Sequence, residues 1–306
     1  MRKAYVEAIT EEALKDKRIF QLVADIGTFT FDKYRETCSD RFLNVGIQEA
    51  SMVGVAAGLA MNGKIPFIYT IAPFLSGRSF EPIRINICYQ ELNVKVIGCG
   101  SGYRYSTLGG AHHATDDITL MRALPGMTVI SPADTMDVKN AVKAAVTHQG
   151  PMYIRIGRDG EPKINPDDYN FEIGKGVTVK NGEDFTIIGT GTVLKNILSA
   201  YELLKNNGIE AKIINMHTVK PLDKEIIIES AKETNGMITV EEHTIIGGLG
   251  SAVSEVLAEE GISIPFKRLG LNDFFCRNYG TPEYLDEICG LTAGDIAKTV
   301  KKLLED

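Results

Sequence analysis

The sequence predicts an α/β protein of two domains, each a mostly parallel sheet covered by helices. Three observations carry the prediction. Short apolar runs of strand length alternate with helix-period segments along the chain. A stretch rich in Gly, Pro and charge, GRDGEPKINPDDYNFEIGKG (157–176), interrupts the alternation, which then restarts. The length of 306 residues exceeds the usual size of one domain. The expected division is 1–165, a linker over 166–183, and a second, smaller domain over 184–306.

Taken in order, residues 1–17 read as a polar amphipathic helix. Residues 19–26 (IFQLVADI) read as a first strand, followed by the turn Gly27-Thr28-Phe29-Thr30. Arg41 to Val45 alternate and stop at Gly46, a strand ending in a tight turn. Residues 65–70 form an apolar strand leading into PFLSGRSFEPIRINICYQ, a helix whose start Pro73 marks. A strand at 93–98 runs into a loop, GCGSGYRYSTLGGAHHATDD, too polar and glycine-rich for regular structure. A helix at 118–123, a strand at 127–131, a helix at 134–148 and a strand at 152–156 close the first half. The linker has room for one strand. Beyond it, strands are expected at 185–188, 211–215, 237–240 and 265–269, and helices at 192–206, 224–232, 250–259 and 292–304.

Composition narrows the function. Hydrophobic residues make up 44 % and charged residues 24 %, enough for a large core. A net charge of −7 argues against nucleic acid or an anionic membrane as partner. No apolar run reaches the roughly 20 residues that span a bilayer. The N-terminal MRKAYVEAITEEALKDKR has charges at every turn, unlike a signal peptide. The five cysteines show no CxxC pair and no zinc spacing, which fits reduced thiols and a cytoplasmic location.

The stretch 41–62, RFLNVGIQEASMVGVAAGLAMN, places one acid, Glu49, just past the carboxyl end of a strand, where open α/β sheets take their ligands. The helix that follows is full of Gly and Ala, and each interior Gly costs about 1 kcal/mol against Ala. Such a helix is tolerable where its backbone must come close to something. Glu49 reads either as an ordinary first-turn acid complementing the helix dipole or as a functional carboxyl. Its neighbours Ile47, Ala50 and Ser51 offer no charge partner, and a carboxyl group so placed can carry or share a proton near neutrality.

His112 and His113 sit in the glycine-rich loop after a strand, either as a surface pair or with one facing a pocket, since adjacent side chains diverge. His148, His217 and His243 lack an acid or thiol at a ligand-like offset and read as structural. Arg155 and Arg158, in YIRIGRD, suit phosphate or carboxylate recognition at a sheet's carboxyl edge, or else a linker salt bridge. Gly189-Thr190-Gly191-Thr192 and Gly247-Gly248-Leu249-Gly250 are explained by tight strand-to-helix turns. GxxxxGK[ST], GxSxG and HExxH are all missing, which excludes the P-loop, serine hydrolase and zinc protease readings.

Together these segments resemble the transketolase family. RFLNVGIQEASMVGVAAGLAMNG is similar to the strand–Gly–x–x–Glu turn of its pyrimidine-binding domain. The likeness continues through FLSGRSFEPIR, GGAHHATDDITLMRALPGMTVISPAD, GPMYIRIGR, MHTVKPLD and TVEEHTIIGGLGSAVSEVLAE, over essentially the whole chain. The resemblance implies a thiamine diphosphate pyrimidine-binding domain followed by the transketolase C-terminal domain. It also implies a partner. The family's diphosphate-binding domain carries a GDG motif and a downstream Asn for the metal, and this sequence contains no GDG. The chain thus resembles the C-terminal subunit of a split transketolase, expected to be inactive alone and to work as an α2β2 assembly. Mg2+ or Ca2+ would be held mainly by the partner, with no metal site on this chain.

By the same resemblance, Glu49 is the carboxyl that hydrogen-bonds the aminopyrimidine and favours its imino tautomer, so that the thiazolium carbon is deprotonated and attacks a ketose carbonyl. Phe74 is the aromatic that stacks on the pyrimidine. Asp25, in ADIG, lines the cofactor, His112 contacts the donor hydroxyls, and Arg158 binds the substrate phosphate. The implied reaction moves a two-carbon ketol unit from a ketose to an aldose. Leu108 and Gly100 replace an acid and a histidine of transketolases proper, and Tyr103 and Tyr105 fill the loop between. These departures point to a modified sugar. Two other readings stand beside it: the beta subunit of a 2-oxo-acid dehydrogenase, and a non-catalytic scaffold subunit, against which Glu49, Phe74 and His112 together argue.

Overall fold

The computed structural model describes residues 1–306 apart from 159, 167, 168 and 306; two residues of the expected linker therefore lie outside the described residues. Six strands belong to the first half: β1 (Ile19–Val23), β2 (Phe42–Asn44), β3 (Ile65–Ile71), β4 (Lys95–Cys99), β5 (Thr128–Ile130) and β6 (Met152–Ile156). Six follow: β7 (Val177–Lys180), β8 (Phe185–Thr190), β9 (Ala211–Asn215), β10 (Thr218–Lys220), β11 (Met237–Thr244) and β12 (Phe266–Leu271). They form a sheet of order β10-β5-β6-β4-β3-β1-β2 and a second of order β12-β11-β8-β9-β7. Each is parallel except at one edge, where β10 runs antiparallel to β5 and β7 antiparallel to β9. The chain is thus α/β with two mostly parallel sheets, as its alternation predicts.

Parallel sheets bury both faces, so their strands read as apolar runs rather than alternations. β3, IPFIYTI, is buried throughout. One face of the first sheet is covered by the helices Arg2–Lys15 and Thr135–Thr147, the other by Glu49–Met61. Tyr5 stacks on Tyr69 at 5.6 Å, and Phe31 meets Tyr69 edge-on at 5.1 Å. Full burial of side chains of this size stabilises by about 1.5–3 kcal/mol each.

Register positions the site. Asn44, Val23, Tyr69, Ile97 and Ile154 pair in one row across β2, β1, β3, β4 and β6. Asp25, Glu49, Phe74, His112 and Arg158 all follow that row on their own strands, so parallel pairing delivers them to one edge of the sheet.

Three expectations need correction. The helix expected to start at Pro73 is broken: Ala72–Ser76 stops, and Phe80–Pro82 runs into a wider π turn, Ile83–Cys88. Pro82 has no N–H for the α ladder, and helical periodicity does not separate an α from a π turn. β10 is an addition to the expected strands, being too short to show a pattern, and it ties the second half into the first sheet. Arg155 does not face a ligand. It is buried where the two halves meet: Nε donates to Asp117 at 2.8 Å, and Nη2 donates to the carbonyls of Ala114 and Glu242 at 2.6 and 2.9 Å.

Candidate active site

Asp25 follows β1 in the left-handed region, at φ 54°, a conformation a short Asp side chain tolerates. Asn44 staples this turn to the next strand end. Its Nδ2 donates to Asp25 Oδ1 at 2.9 Å, while its Oδ1 accepts from the backbone N–H groups of Asp25 and Gly46, both at 3.0 Å.

Glu49 opens the helix Glu49–Met61 and is only 5 % exposed. The sequence offers it no charge partner nearby, and the fold brings one from elsewhere. Arg78, in the break after Ala72–Ser76, sets Nη1 3.7 Å from Glu49 Oε2. Among the described residues no hydrogen bond ties the carboxylate down. The Arg78 guanidinium carbon also lies 4.3 Å from the centre of the Phe74 ring.

From Phe74 the contacts run on. The His112 ring meets Phe74 edge-on at 5.2 Å, Tyr105 lies 6.3 Å from His112, and the Arg158 guanidinium sits 5.2 Å over the Tyr105 ring. Four residues singled out in the sequence, Glu49, Phe74, His112 and Arg158, therefore lie along one line, linked by Arg78 and Tyr105. Asp25 joins the Glu49 turn through Asn44 but touches none of the other three. Gly100 makes room for Tyr105: a Cβ there would fall 2.1 Å from the ring, and φ is +84°.

The two adjacent histidines diverge. His112 keeps a buried Nδ1 without a hydrogen-bond partner. His113 turns to Tyr103 and lines a cavity of about 140 Å³ with Asp116, Phe275 and Cys276; burial pushes its pKa down. Exposed Arg158 borders a cleft of about 480 Å³ with Arg104, Thr107 and Lys195. Among the described residues, no three His, Cys, Asp or Glu side chains converge to hold a metal ion. His243 is structural: Nδ1 lies 2.8 Å from the Thr244 carbonyl, and burial pushes its pKa down to about 4. Arg78 and Asn44 are the residues the sequence reading missed. Arg78 stands inside FLSGRSFEPIR, but nothing in its spacing points toward Glu49.

Residues 1–161 match the family model described as the transketolase pyrimidine binding domain, and residues 174–296 that of the transketolase C-terminal domain. The chain belongs to the transketolase family. Over 306 residues it is 38 % identical to the 6-deoxy-6-sulfo-D-fructose transketolase subunit SqwH of Clostridium sp. (strain MSTE9), covering 100 % of this chain and 94 % of that one. It is 36 % identical to one of the subunits of the apulose-4-phosphate transketolase of Phocaeicola vulgatus over 274 residues, 89 % of this chain and 87 % of that one. Among solved structures, a split gene transketolase described as an inactive beta4 tetramer superposes with a TM-score of 0.90 at 42 % identity, covering 99 % of this chain and 97 % of the other. This transketolase-like transferase chain carries the family's pyrimidine-binding and C-terminal folds.

Proposed function

We propose that the chain is the C-terminal subunit of a split transketolase, transferring a two-carbon ketol unit from a ketose to an aldose with thiamine diphosphate bound against a second, diphosphate-binding subunit. The observation that carries the reading is the buried Glu49 carboxyl beside the Phe74 ring, with the orphaned His112 Nδ1 next along the line. An aromatic ring and a buried carboxyl, both reached by the one Arg78 guanidinium, are the stacking and hydrogen-bonding groups an aminopyrimidine takes, so these residues fit the cofactor. Bound thiamine diphosphate supplies a nucleophilic carbon and an electron sink for breaking a ketose carbon–carbon bond.

The chain's own residues then have distinct tasks. Glu49, buried at the start of its helix, hydrogen-bonds a ring nitrogen. Phe74 stacks on the ring, and the Asp25 turn lines it. His112, edge-on to Phe74, meets the substrate hydroxyls. Arg158, exposed and held over Tyr105 at a cleft of mixed charge, takes the anionic end of the sugar. In this reading the cofactor ring belongs to a first domain over 1–165, and a linker over 166–183 leads to the C-terminal domain over 184–306. Mg2+ or Ca2+ is held mainly by the partner, which carries the GDG motif, in a cytoplasmic α2β2 assembly.

A modified sugar is the proposed substrate. The two relatives are named for sulfofructose and apulose 4-phosphate, and Leu108 and Gly100 depart from ordinary transketolases in the loop beside His112. Turnover of xylulose 5-phosphate with ribose 5-phosphate by the assembled enzyme is expected to be weak; efficient turnover would sink the substrate proposal. The decisive test of the site is Glu49→Gln in the reconstituted complex. Loss of about three orders of magnitude in kcat is expected, and unchanged turnover would move the site elsewhere.

A further inference from the structure

Arg78 engages the same two groups that the aminopyrimidine is proposed to use. Its guanidinium carbon is 4.3 Å from the Phe74 ring centre, and its Nη1 is 3.7 Å from Glu49 Oε2. A guanidinium is flat and edged with N–H donors. It lies over the Phe74 ring and within ion-pair distance of Glu49, the two groups that a stacked pyrimidine would meet. The two groups cannot both lie there.

We propose that Arg78 is a built-in occupant of the pyrimidine slot, which the cofactor ring displaces as it enters. The inference rests on the pyrimidine placement proposed above. Two features suit Arg78 to the task. It sits in the break between Ala72–Ser76 and Phe80–Pro82, and its side chain is 58 % exposed, so it can swing outward without disturbing the core. Its contacts are an ion pair at 3.7 Å with one exposed partner, too long for a hydrogen bond, and a cation over a ring, neither of large strength. Displacement therefore weakens cofactor binding without blocking it. Arg78 also screens the Glu49 carboxylate until the ring arrives, so that the helix Glu49–Met61 does not open on an uncompensated buried charge.

The test is thiamine diphosphate binding, with Mg2+, to the complex reconstituted with its diphosphate-binding partner, measured by isothermal titration calorimetry. Arg78→Met is expected to lower Kd about tenfold, by removing the competitor. Arg78→Lys keeps the charge without the flat stack and should fall between Met and wild type. A Kd for Arg78→Met that is unchanged or raised overturns the inference. Glu49→Gln and Phe74→Ala separate it from the reading beneath it. If both leave Kd where it is, the pyrimidine placement fails and the inference falls with it. If both weaken binding while Arg78→Met does not tighten it, only the role of Arg78 is lost.

Discussion

The turn that carries Glu49 and the loop that carries His112 flank the same aromatic ring, yet they are held in opposite ways. The Glu49 turn is short, and its hydrogen bonds stay within the first half, through Asn44 to Asp25 and Gly46. The helix behind it leaves Ala50, Gly54, Val55, Gly58 and Met61 exposed. The His112 loop is long, and the second half grips it at several points. The Thr244 N–H donates to Thr115 O at 2.8 Å, Arg104 pairs with Glu242, and Arg155, itself of the first half, bridges the Ala114 and Glu242 carbonyls. Tyr103 Oη donates to Cys289 Sγ at 3.1 Å. The half of the chain that supplies none of the expected site residues is therefore what holds the His112 loop in place. One wall is free to meet a ligand or partner; the other is built for stability.

Variants at the seam that anchors the His112 loop should cost stability, and those that loosen the Glu49 turn should cost function. The largest stability effect is expected for Asp117→Asn, which strips the buried Arg155 of its counter-charge. Leaving such a cation uncompensated costs about 3–5 kcal/mol, read as a lower urea midpoint with an unchanged slope. A loss below about 1 kcal/mol would show that the seam does not hold the loop.

Next comes acid sensitivity. Burial, against the pull of Asp117, holds the His243 pKa at about 4, while an unfolded histidine titrates near 6.5. Between those values the unfolded chain binds the extra proton, so stability rises with pH across the window and is lost as pH falls from about 6.5 to 4. The full loss is on the order of 3 kcal/mol. Glu241 opposes it: burial pushes its pKa up to about 7, against the N–H groups of Gly250 and Leu249. From about 4.5 to 7 the unfolded chain has released a proton that the folded one keeps, so its term falls as pH rises. His243→Asn should remove the acid loss and leave the Glu241 slope, seen in denaturation midpoints from pH 4 to 7.

Gly102→Ala should cost about 2 kcal/mol. Gly102 has φ +54°, and a Cβ there would fall 2.4 Å from Glu242 Oε2; calorimetric melting checks it. The smallest stability effect is expected on the other wall. Asn44→Ala should lower stability by about 1 kcal/mol or less while raising the cofactor Kd, because the Asp25 and Gly46 turns lose their staple. A large stability loss there, with cofactor binding intact, would reverse the comparison.

Much of this is legible residue by residue. Apolar runs bounded by glycine turns show the strands, and parallel pairing sends their following turns to one edge. The resemblance to the transketolase family is what proposes Glu49, Phe74, His112 and Arg158 together, and their places just past strand ends agree with it. Arg155 and Arg158 show where such reading stops. Both are arginines of one short motif, but Arg155 lies inside β6 and enters the seam, while Arg158 lies past the strand end and reaches the cleft. Pattern alone does not separate them, because their difference is made by Asp117 and Glu242, distant in the chain. Arg78 is the same case: its two partners meet only when the break after β3 is folded against the Glu49 helix.

The sequence by itself determined the alternation of strand and helix, the strand-end position of the candidate residues and the family. The first two depend on local periodicity and turn chemistry, which neighbouring residues carry, and the family on the resemblance of whole motifs along the chain. Only the tertiary structure decided that Arg155 is structural, that β10 crosses into the first sheet, that the second half grips the His112 loop, and that Arg78 covers Glu49. Each of these is a meeting of charges or backbone groups far apart in the chain, and the energy of such a meeting exists only once the surrounding core has excluded water.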